Sequence, residues 1–354
     1  MDKKYEELSQ FIVTFSPFFK KALINELKKI TESVNIKKMF DESRTLISTE
    51  LPEKTFIQNL IQIKSIFVKH IMPVHKSGDI TGNLEIDKKN LLEACSDLVN
   101  LNGSEKFAVQ CRIAKGIFSG IKAYSSKDIE VFLGLHYASF GNIPSFSDKN
   151  LKNEEIKVIS VFICKNEYYL GFSTSAENLN FHSDEHRIFS NTGREISRAE
   201  NKLKEALSKF QIGLSGKGIA LDLGASPGGW TKVLADYGYD VIAVDPGDLH
   251  FSLKNNPKIT HKKIRIEKLK FDNYFDIIVN DMNMNPQKTA EIMITVADSL
   301  KKDGVAIVTL KLPFSDVTRG ITEASKILEE KFEILAIKSL FHNRQEVTAL
   351  LRKK

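Results

Sequence analysis

Residues 219–245 restrict the fold of this chain more than any other stretch. They read Ile-Ala-Leu-Asp-Leu-Gly-Ala-Ser-Pro-Gly-Gly-Trp and, after a polar interval, Val-Ile-Ala-Val-Asp. The apolar run 219–223 predicts a buried strand, Gly224 to Gly229 an elbow, and a helix begins near Trp230. A second apolar strand, 240–244, ends in Asp245. This order is the plan of a nucleotide-type cofactor site: glycines let the backbone approach the ligand, and an acid about 20 residues on takes ribose hydroxyls. The elbow is not Gly-x-Gly-x-x-Gly, and Pro227 removes a backbone donor that a pyrophosphate cradle would want. The pattern therefore suits a ligand without phosphates better than a dinucleotide. A packing turn alone would leave the glycines, the proline and the terminal acid as coincidences.

The rest of the C-terminal part, 197–354, alternates strands and helices as a doubly wound parallel sheet should. Strands are expected at 219–223, 240–244, 276–280, 305–310, 334–339 and 346–351. The short turn Phe341 to Gln345 makes the last two antiparallel neighbours. Asp281 and Lys311 end strands at the edge where such sheets bind ligands, and Glu346 begins a reversed strand at that same edge. Burial at a strand end is expected to lower the pKa of Lys311 and suit it to proton handling. Ser197-Arg-Ala-Glu200 reads as a capping box opening a helix whose apolar face is Ala199, Leu203, Ala206, Leu207 and Phe210. Lys202 sits on the rim of that face, where a lysine snorkels toward the cleft.

The 354 residues are enough for two or three domains, with 42% hydrophobic and 27% charged residues of an ordinary globular chain. No apolar run approaches the 18 or so residues of a membrane span, and Met-Asp-Lys-Lys-Tyr-Glu-Glu is no signal sequence. Cys95, Cys111 and Cys164 are odd in number and far apart, which fits neither a disulfide framework nor a zinc site and predicts a reducing, cytoplasmic setting. A net charge of +6 is compatible with a polyanionic partner. In the N-terminal part, strand Phe11 to Phe15 runs into a helix capped by Ser16-Pro17, with Phe18, Ala22, Leu23 and Leu27 on one face. Strand Thr45 to Ser48, helix Thr55 to Ile63 and an extended Ile66 to Val74 complete a small α+β layer. Next come helix Lys88 to Val99, strand Lys106 to Ile113, a helix start at Ser125-Ser126, and a hairpin of strands Lys157 to Cys164 and Glu167 to Thr174. The polar stretch 181–196 reads as a linker that can contact substrate.

With these residues in view, the chain resembles the FtsJ/RrmJ group of 2′-O-ribose RNA methyltransferases, nearest to its RlmM-like branch of large-subunit ribosomal RNA enzymes with an N-terminal THUMP domain. Gly-Ala-Ser-Pro-Gly-Gly-Trp, Ser-Arg-Ala-Glu-Asn-Lys (197–202), Leu-Lys-Leu-Pro (310–313) and Phe-His-Asn-Arg-Gln-Glu-Val-Thr (341–348) carry the likeness. The resemblance implies a Rossmann-like class I methyltransferase domain at 197–354. A ferredoxin-like α+β domain at 1–80, a THUMP-like RNA-binding domain at 81–185 and a linker at 186–196 would precede it. It implies S-adenosylmethionine as cofactor, no metal, and a catalytic tetrad of Lys202, Asp281, Lys311 and Glu346. Ser197, Gly224, Ser226, Pro227, Gly228, Gly229, Trp230, Asp245 and Asp281 would line the cofactor, with Glu267 as the acid near the adenine. Ser226 stands where the branch often has cysteine.

The expected partner is RNA, 23S ribosomal RNA or a precursor particle, met by a cytoplasmic protein with no membrane association and expected to be a monomer. A ribose hydroxyl is a poor nucleophile, so positioning and help with its proton are what the enzyme must supply. Lys311 could be the base or the cationic partner of an alkoxide. In the middle region Lys106, Arg112, Lys115, Lys122 and Lys127 interleave with Phe107, Phe118 and Tyr124. That is either a backbone-binding face or a solvated surface over core aromatics. Two rival functions stay open: a class I methyltransferase acting on a non-RNA substrate, and a non-catalytic RNA-binding or ribosome-assembly factor.

Overall fold

The computed structural model describes residues 8–114, 123–144, 156–179, 195–214, 216–313 and 316–354. The chain divides into two compact units, 1–185 and 186–354.

The N-terminal unit holds two sheets. In the first, β1 (Ser9–Thr14), α1 (Lys20–Lys28), β2 (Asn35–Asp41), β3 (Arg44–Thr49), α2 (Glu53–Gln62) and β4 (His70–Pro73) follow in the β-α-β-β-α-β order of ferredoxin-like layers. Its strand order is β2-β3-β1-β4. Strand β2 leaves no strand pattern in the sequence, because four of its seven residues are exposed, only Phe40 is buried, and apolar residues do not alternate. Pro17–Phe19 form a 3-10 turn ahead of α1, which points Phe18 to solvent at 48% exposure while Ala22, Leu23 and Leu27 are buried. The expected apolar face thus begins one turn later.

The second sheet is built from β5 (Lys76–Asp79), β6 (Lys106–Ile113), β7 (Ile143–Pro144), β8 (Lys157–Cys164) and β9 (Glu167–Thr174) in the order β5-β9-β8-β6-β7. Helices α3 (Leu84–Ser96) and α4 (Ser126–Ala138) cover it, α4 opening on a capping box of Ser125 and Asp128. Phe107 is fully buried there, and the Tyr124 hydroxyl donates to Asp87 at 2.7 Å. Phe107 belongs to the core and offers no ring to a nucleic acid, whereas Tyr124 is half-buried at the edge of that core. Lys115, Phe118 and Lys122 lie outside the described residues, as does the linker stretch up to residue 194.

The C-terminal unit is a seven-stranded sheet. Its strands are β10 (Ile219–Leu223), β11 (Asp240–Val244), β12 (Ile259–Lys262), β13 (Phe275–Asn280), β14 (Leu300–Lys311), β15 (Phe332–Lys338) and β16 (Glu346–Lys353), ordered β12-β11-β10-β13-β14-β16-β15. All pairs are parallel except those of β16, which runs antiparallel to both β14 and β15. Edge strand β12 was missed in the sequence; its residues are only half-buried and basic, as edge strands often are. Helices α5 (Ala199–Lys209) and α6 (Gly229–Asp236) bury Leu203, Ala206, Leu207, Trp230, Val233 and Leu234 against Ala220, Val241, Ile277, Val279 and Ile307 of one sheet face. Alternation leaves Leu221, Ile278 and Ala306, all fully buried, for the opposite face. Helices α7 (Pro286–Val296) and α8 (Val317–Leu328) pack on each other and against β14 and β15. The core is thus sandwiched, and the strand ends are left to build a site.

Candidate active site

The elbow between β10 and α6 is shaped by close approaches. Gly224 has φ +73°, and a Cβ there would lie 2.4 Å from Met282 Cγ. Gly228, at φ +110°, is the residue before α6, and a Cβ would meet Leu253 Cδ1 at 2.3 Å. A side chain at either position would be strained and would collide. Gly229 approaches Ser197, whose Oγ lies 2.3 Å from where a Cβ would stand. That hydroxyl is buried without a hydrogen-bond partner among the described residues. The first backbone N–H groups of α6 have no intrahelical acceptor either. Unmet donors and a backbone stripped of side chains make a cradle for a polar ligand, and S-adenosylmethionine suits that donor set.

Asp245 closes the cradle. Its carboxylate accepts from Ser226 N at 3.1 Å and from Gly247 N at 2.6 Å, and a carboxylate can accept further donors. The Ser226 hydroxyl donates to the Asp248 carbonyl, and His250 N to that of Pro227, so the two loops hold each other. Two expectations change here. Arg198, not Ser197, is the N-cap of α5. Glu200 instead accepts from Ile196 N at 2.6 Å, because the helix starts one residue later and the Ser197 hydroxyl turns toward Gly229. Trp230 is 3% exposed and its indole donates to the Ala199 carbonyl at 2.7 Å; that ring is spent in the core. Glu267 lies in a 3-10 turn (Ile266–Lys268), with its side chain outside the described residues.

Beside the elbow, four remote residues form a ring of alternating charge. Lys202 Nζ lies 3.3 Å from both carboxylate oxygens of Asp281 and 2.6 Å from Glu346 Oε1. Lys311 Nζ lies 3.2 Å from Asp281 Oδ1 and 2.7 Å from Glu346 Oε2. The antiparallel register of β14 and β16 sets Lys311 opposite Glu346. Asp281 follows the last residue of β13, next to the Met282 that touches Gly224, and Lys202 comes in from α5. All four side chains are mostly buried, from 8% exposed for Glu346 to 21% for Lys311.

The electrostatics reverse one expectation. Burial works against the charge of Lys311, but Asp281 and Glu346 outweigh it, and its pKa is raised above the ordinary lysine value. The two carboxylates are close enough to favour the charged form of Lys311 more than desolvation opposes it. Burial likewise opposes the charge of Glu346, and Lys202 and Lys311 overcome it to hold that carboxyl below the usual glutamate value. Lys202 does not snorkel to open solvent, since both carboxylates hold it in the ring.

Two further residues support the ring, and a buried acid lies in the neighbouring strand β10. Thr309 Oγ1 donates to Asp281 Oδ1 at 2.7 Å; it is a polar residue at a buried position of an apolar strand, which is the signal it leaves in the sequence. Glu205, one turn on from Lys202 in α5, is buried and accepts from Phe341 N at 2.5 Å, His342 N at 2.9 Å and His342 Nδ1 at 2.7 Å. It grips the turn that delivers Glu346. Asp222, in the buried strand β10, accepts from Thr231 Oγ1 at 2.6 Å. Full burial, with added repulsion from Asp281 and Asp245, pushes its pKa up to about 7.

Residues 196–333 match the FtsJ-like methyltransferase family; Lys202, Asp281 and Lys311 fall inside the match and Glu346 beyond it. A ribosomal RNA large subunit methyltransferase M of Psychromonas ingrahamii is 32% identical over 54% of this chain and 55% of its own length. That of Laribacter hongkongensis is 33% identical over 44% of this chain and 47% of its own. An uncharacterized protein of Methanocaldococcus jannaschii is 30% identical over 45% of this chain and 47% of its own. The chain thus aligns with about half the length of these relatives.

Proposed function

Starting from an FtsJ-like methyltransferase domain at 196–333, we propose that the protein transfers a methyl group from S-adenosylmethionine to a ribose 2′-hydroxyl of RNA, with large-subunit ribosomal RNA as substrate. The observation that carries this reading is the closed ring of Lys202, Asp281, Lys311 and Glu346 beside the glycine elbow. The names of the relatives from Psychromonas and Laribacter support the choice of RNA.

In this reading Asp245 takes the ribose hydroxyls of the cofactor, while Ser197 and the elbow backbone hold its amino-acid end. The cofactor supplies a sulfonium methyl, an electrophile that needs in-line attack. Lys311 meets the 2′-hydroxyl oxygen. In the resting ring it is a cation, which supports a role as hydrogen-bond donor and as charge partner of the oxygen as negative charge develops, with the hydroxyl proton leaving to solvent. Asp281 and Glu346 orient its ammonium, and Lys202 balances the second carboxylate so that neither is left unpaired in a buried place. Thr309 fixes the Asp281 carboxylate, and Glu205 fixes the turn ahead of Glu346. Much of the rate gain then comes from positioning, worth up to roughly 7–11 kcal/mol in well-oriented systems.

The organisation 1–80, 81–185, 186–196 and 197–354 belongs to the same proposal, with the N-terminal domains, the second THUMP-like, supplying RNA affinity. The test is to map 2′-O-methyl positions in ribosomal RNA with and without the gene, and to assay the purified protein on the RNA from the deletion strain. Loss and restoration of one ribose methyl is the expected result. Methyl appearing on a base or on protein would overturn the ribose assignment.

A further inference from the structure

We propose that the edge of the methyltransferase unit around β12 binds an unpaired RNA strand and leads it past the cofactor elbow, with Phe251 as a platform for one base. This rests on the RNA reading above and adds to it a surface that the ring and the elbow do not require.

The charge is concentrated there. Residues 254–272 carry seven lysines and arginines against Glu267 and Asp272, a net of +5 out of the +6 of the whole chain. Lys254, Lys263, Arg265, Lys268 and Lys270 are exposed. Of these, Lys263 pairs with Asp248 at 2.5 Å; the other four make no ion pair among the described residues. Lysines in an edge strand can serve merely to block strand addition. That explains Lys262 but not Arg265, Lys268 and Lys270, which lie beyond the strand.

The location is also the right one. Strand β12 is parallel to β11, so its last residue, Lys262, pairs with Val244 beside Asp245. His261 Nε2 lies 3.1 Å from the Asp245 carbonyl. Leu253 packs on Gly228, which brings Lys254 to the elbow as well. Between them sits Phe251, 76% exposed, its ring 4.3 Å from that of His250 at an interplanar angle of 37°. His250 N is anchored to the Pro227 carbonyl at 2.8 Å. An exposed ring packed on a half-buried, backbone-anchored histidine within a positive stripe has the two elements of single-strand binding, backbone charge and base stacking. Charge complementarity selects a polyanion, and the aromatic platform selects one with bases.

The test uses the full chain with Lys254→Ser, Arg265→Ser and Lys268→Ser combined, and separately Phe251→Ala. A control neutralises Lys288, Lys302 and Lys326. Binding of a labelled unstructured oligoribonucleotide is measured against salt, cofactor binding by calorimetry, and methyl transfer on a large-subunit ribosomal RNA transcript. The triple variant should lose roughly 10- to 50-fold in RNA affinity, and its salt slope should fall by about 2. Its KM for RNA should rise while kcat and cofactor affinity hold. Phe251→Ala should lose roughly 5- to 150-fold with the slope unchanged. The control should behave as wild type. If the triple variant melts early, Arg265→Ser with Lys268→Ser should still lower the slope by about 1. A wild-type protein that binds no RNA would sink the RNA reading itself. Wild-type RNA binding left untouched in both variants would sink this surface alone and leave the lysines as edge protection.

Discussion

The elbow and the charged ring lie side by side, yet they are built in opposite ways. The elbow comes from about two dozen consecutive residues, and its working groups are backbone N–H groups and gaps where side chains are missing. The ring comes from four side chains drawn from α5 and the ends of three strands, 202 to 346 in sequence. One binds by what is absent and the other acts through charges that must be held. Damage to the elbow should therefore appear in cofactor affinity and damage to the ring in turnover, and that division is open to experiment.

The largest effect should come from Lys311. Replacement by Ala or Met should lower single-turnover methyl transfer by ~10²-fold or more, as when other oxyanion partners are removed, with cofactor affinity unchanged. Near-normal transfer by Lys311→Ala would reduce it to a strand cap and leave the ring without its centre. Arginine sharpens the point: partial rescue by Lys311→Arg supports a cationic partner, whereas no rescue supports a base, since arginine keeps its proton.

Asp245→Ala is the mirror experiment. Cofactor binding should weaken by ~1.5–3 kcal/mol, the worth of a hydrogen bond to a charged group, while transfer at saturating cofactor stays close to wild type. Calorimetry with unchanged affinity would remove Asp245 from the cofactor site.

Glu205→Gln probes the support of the ring. The buried turn donors Phe341 N and His342 N share this carboxylate, so losing part of it should cost about 2 kcal/mol of stability. Transfer should slow with cofactor affinity intact. A lower melting temperature with normal transfer would make Glu205 a stabiliser and nothing more.

The smallest effect concerns Asp222, whose pKa is raised from 3.8 to about 7. An acid raised on folding keeps its proton better in the folded state, so its favourable contribution holds at low pH and fades as pH rises toward 7. From pH 6 to pH 8 the wild type should lose about 1.4 kcal/mol that Asp222→Asn does not. Urea unfolding at the two pH values checks this, and parallel losses in both proteins would contradict it.

Against these regions, what could be read from sequence divides along the same line. Strands β8, β9, β10 and β11 lie where the apolar runs put them, because each is largely buried, and the half-buried β6 lies where its alternation puts it. Exposed β2 and the basic edge β12 escaped, since a strand that buries little leaves no pattern. The pKa of Lys311 moves up where burial alone predicts a fall, because residue order does not show how closely Asp281 and Glu346 approach its ammonium. Glu205 and Thr309 passed unnoticed for the same reason.

The sequence by itself determined the elbow, the succession of the buried strands in the C-terminal unit, and the residue types at the strand ends. These are local properties, fixed by glycine, proline and the period of apolar residues along the chain. Only the tertiary structure decided that Lys202, Asp281, Lys311 and Glu346 close into one neutral ring, that the Ser197 hydroxyl faces Gly229, and that Glu205 grips the turn before Glu346. Coulomb energy depends on distance and burial, and both arise only when remote elements pack together.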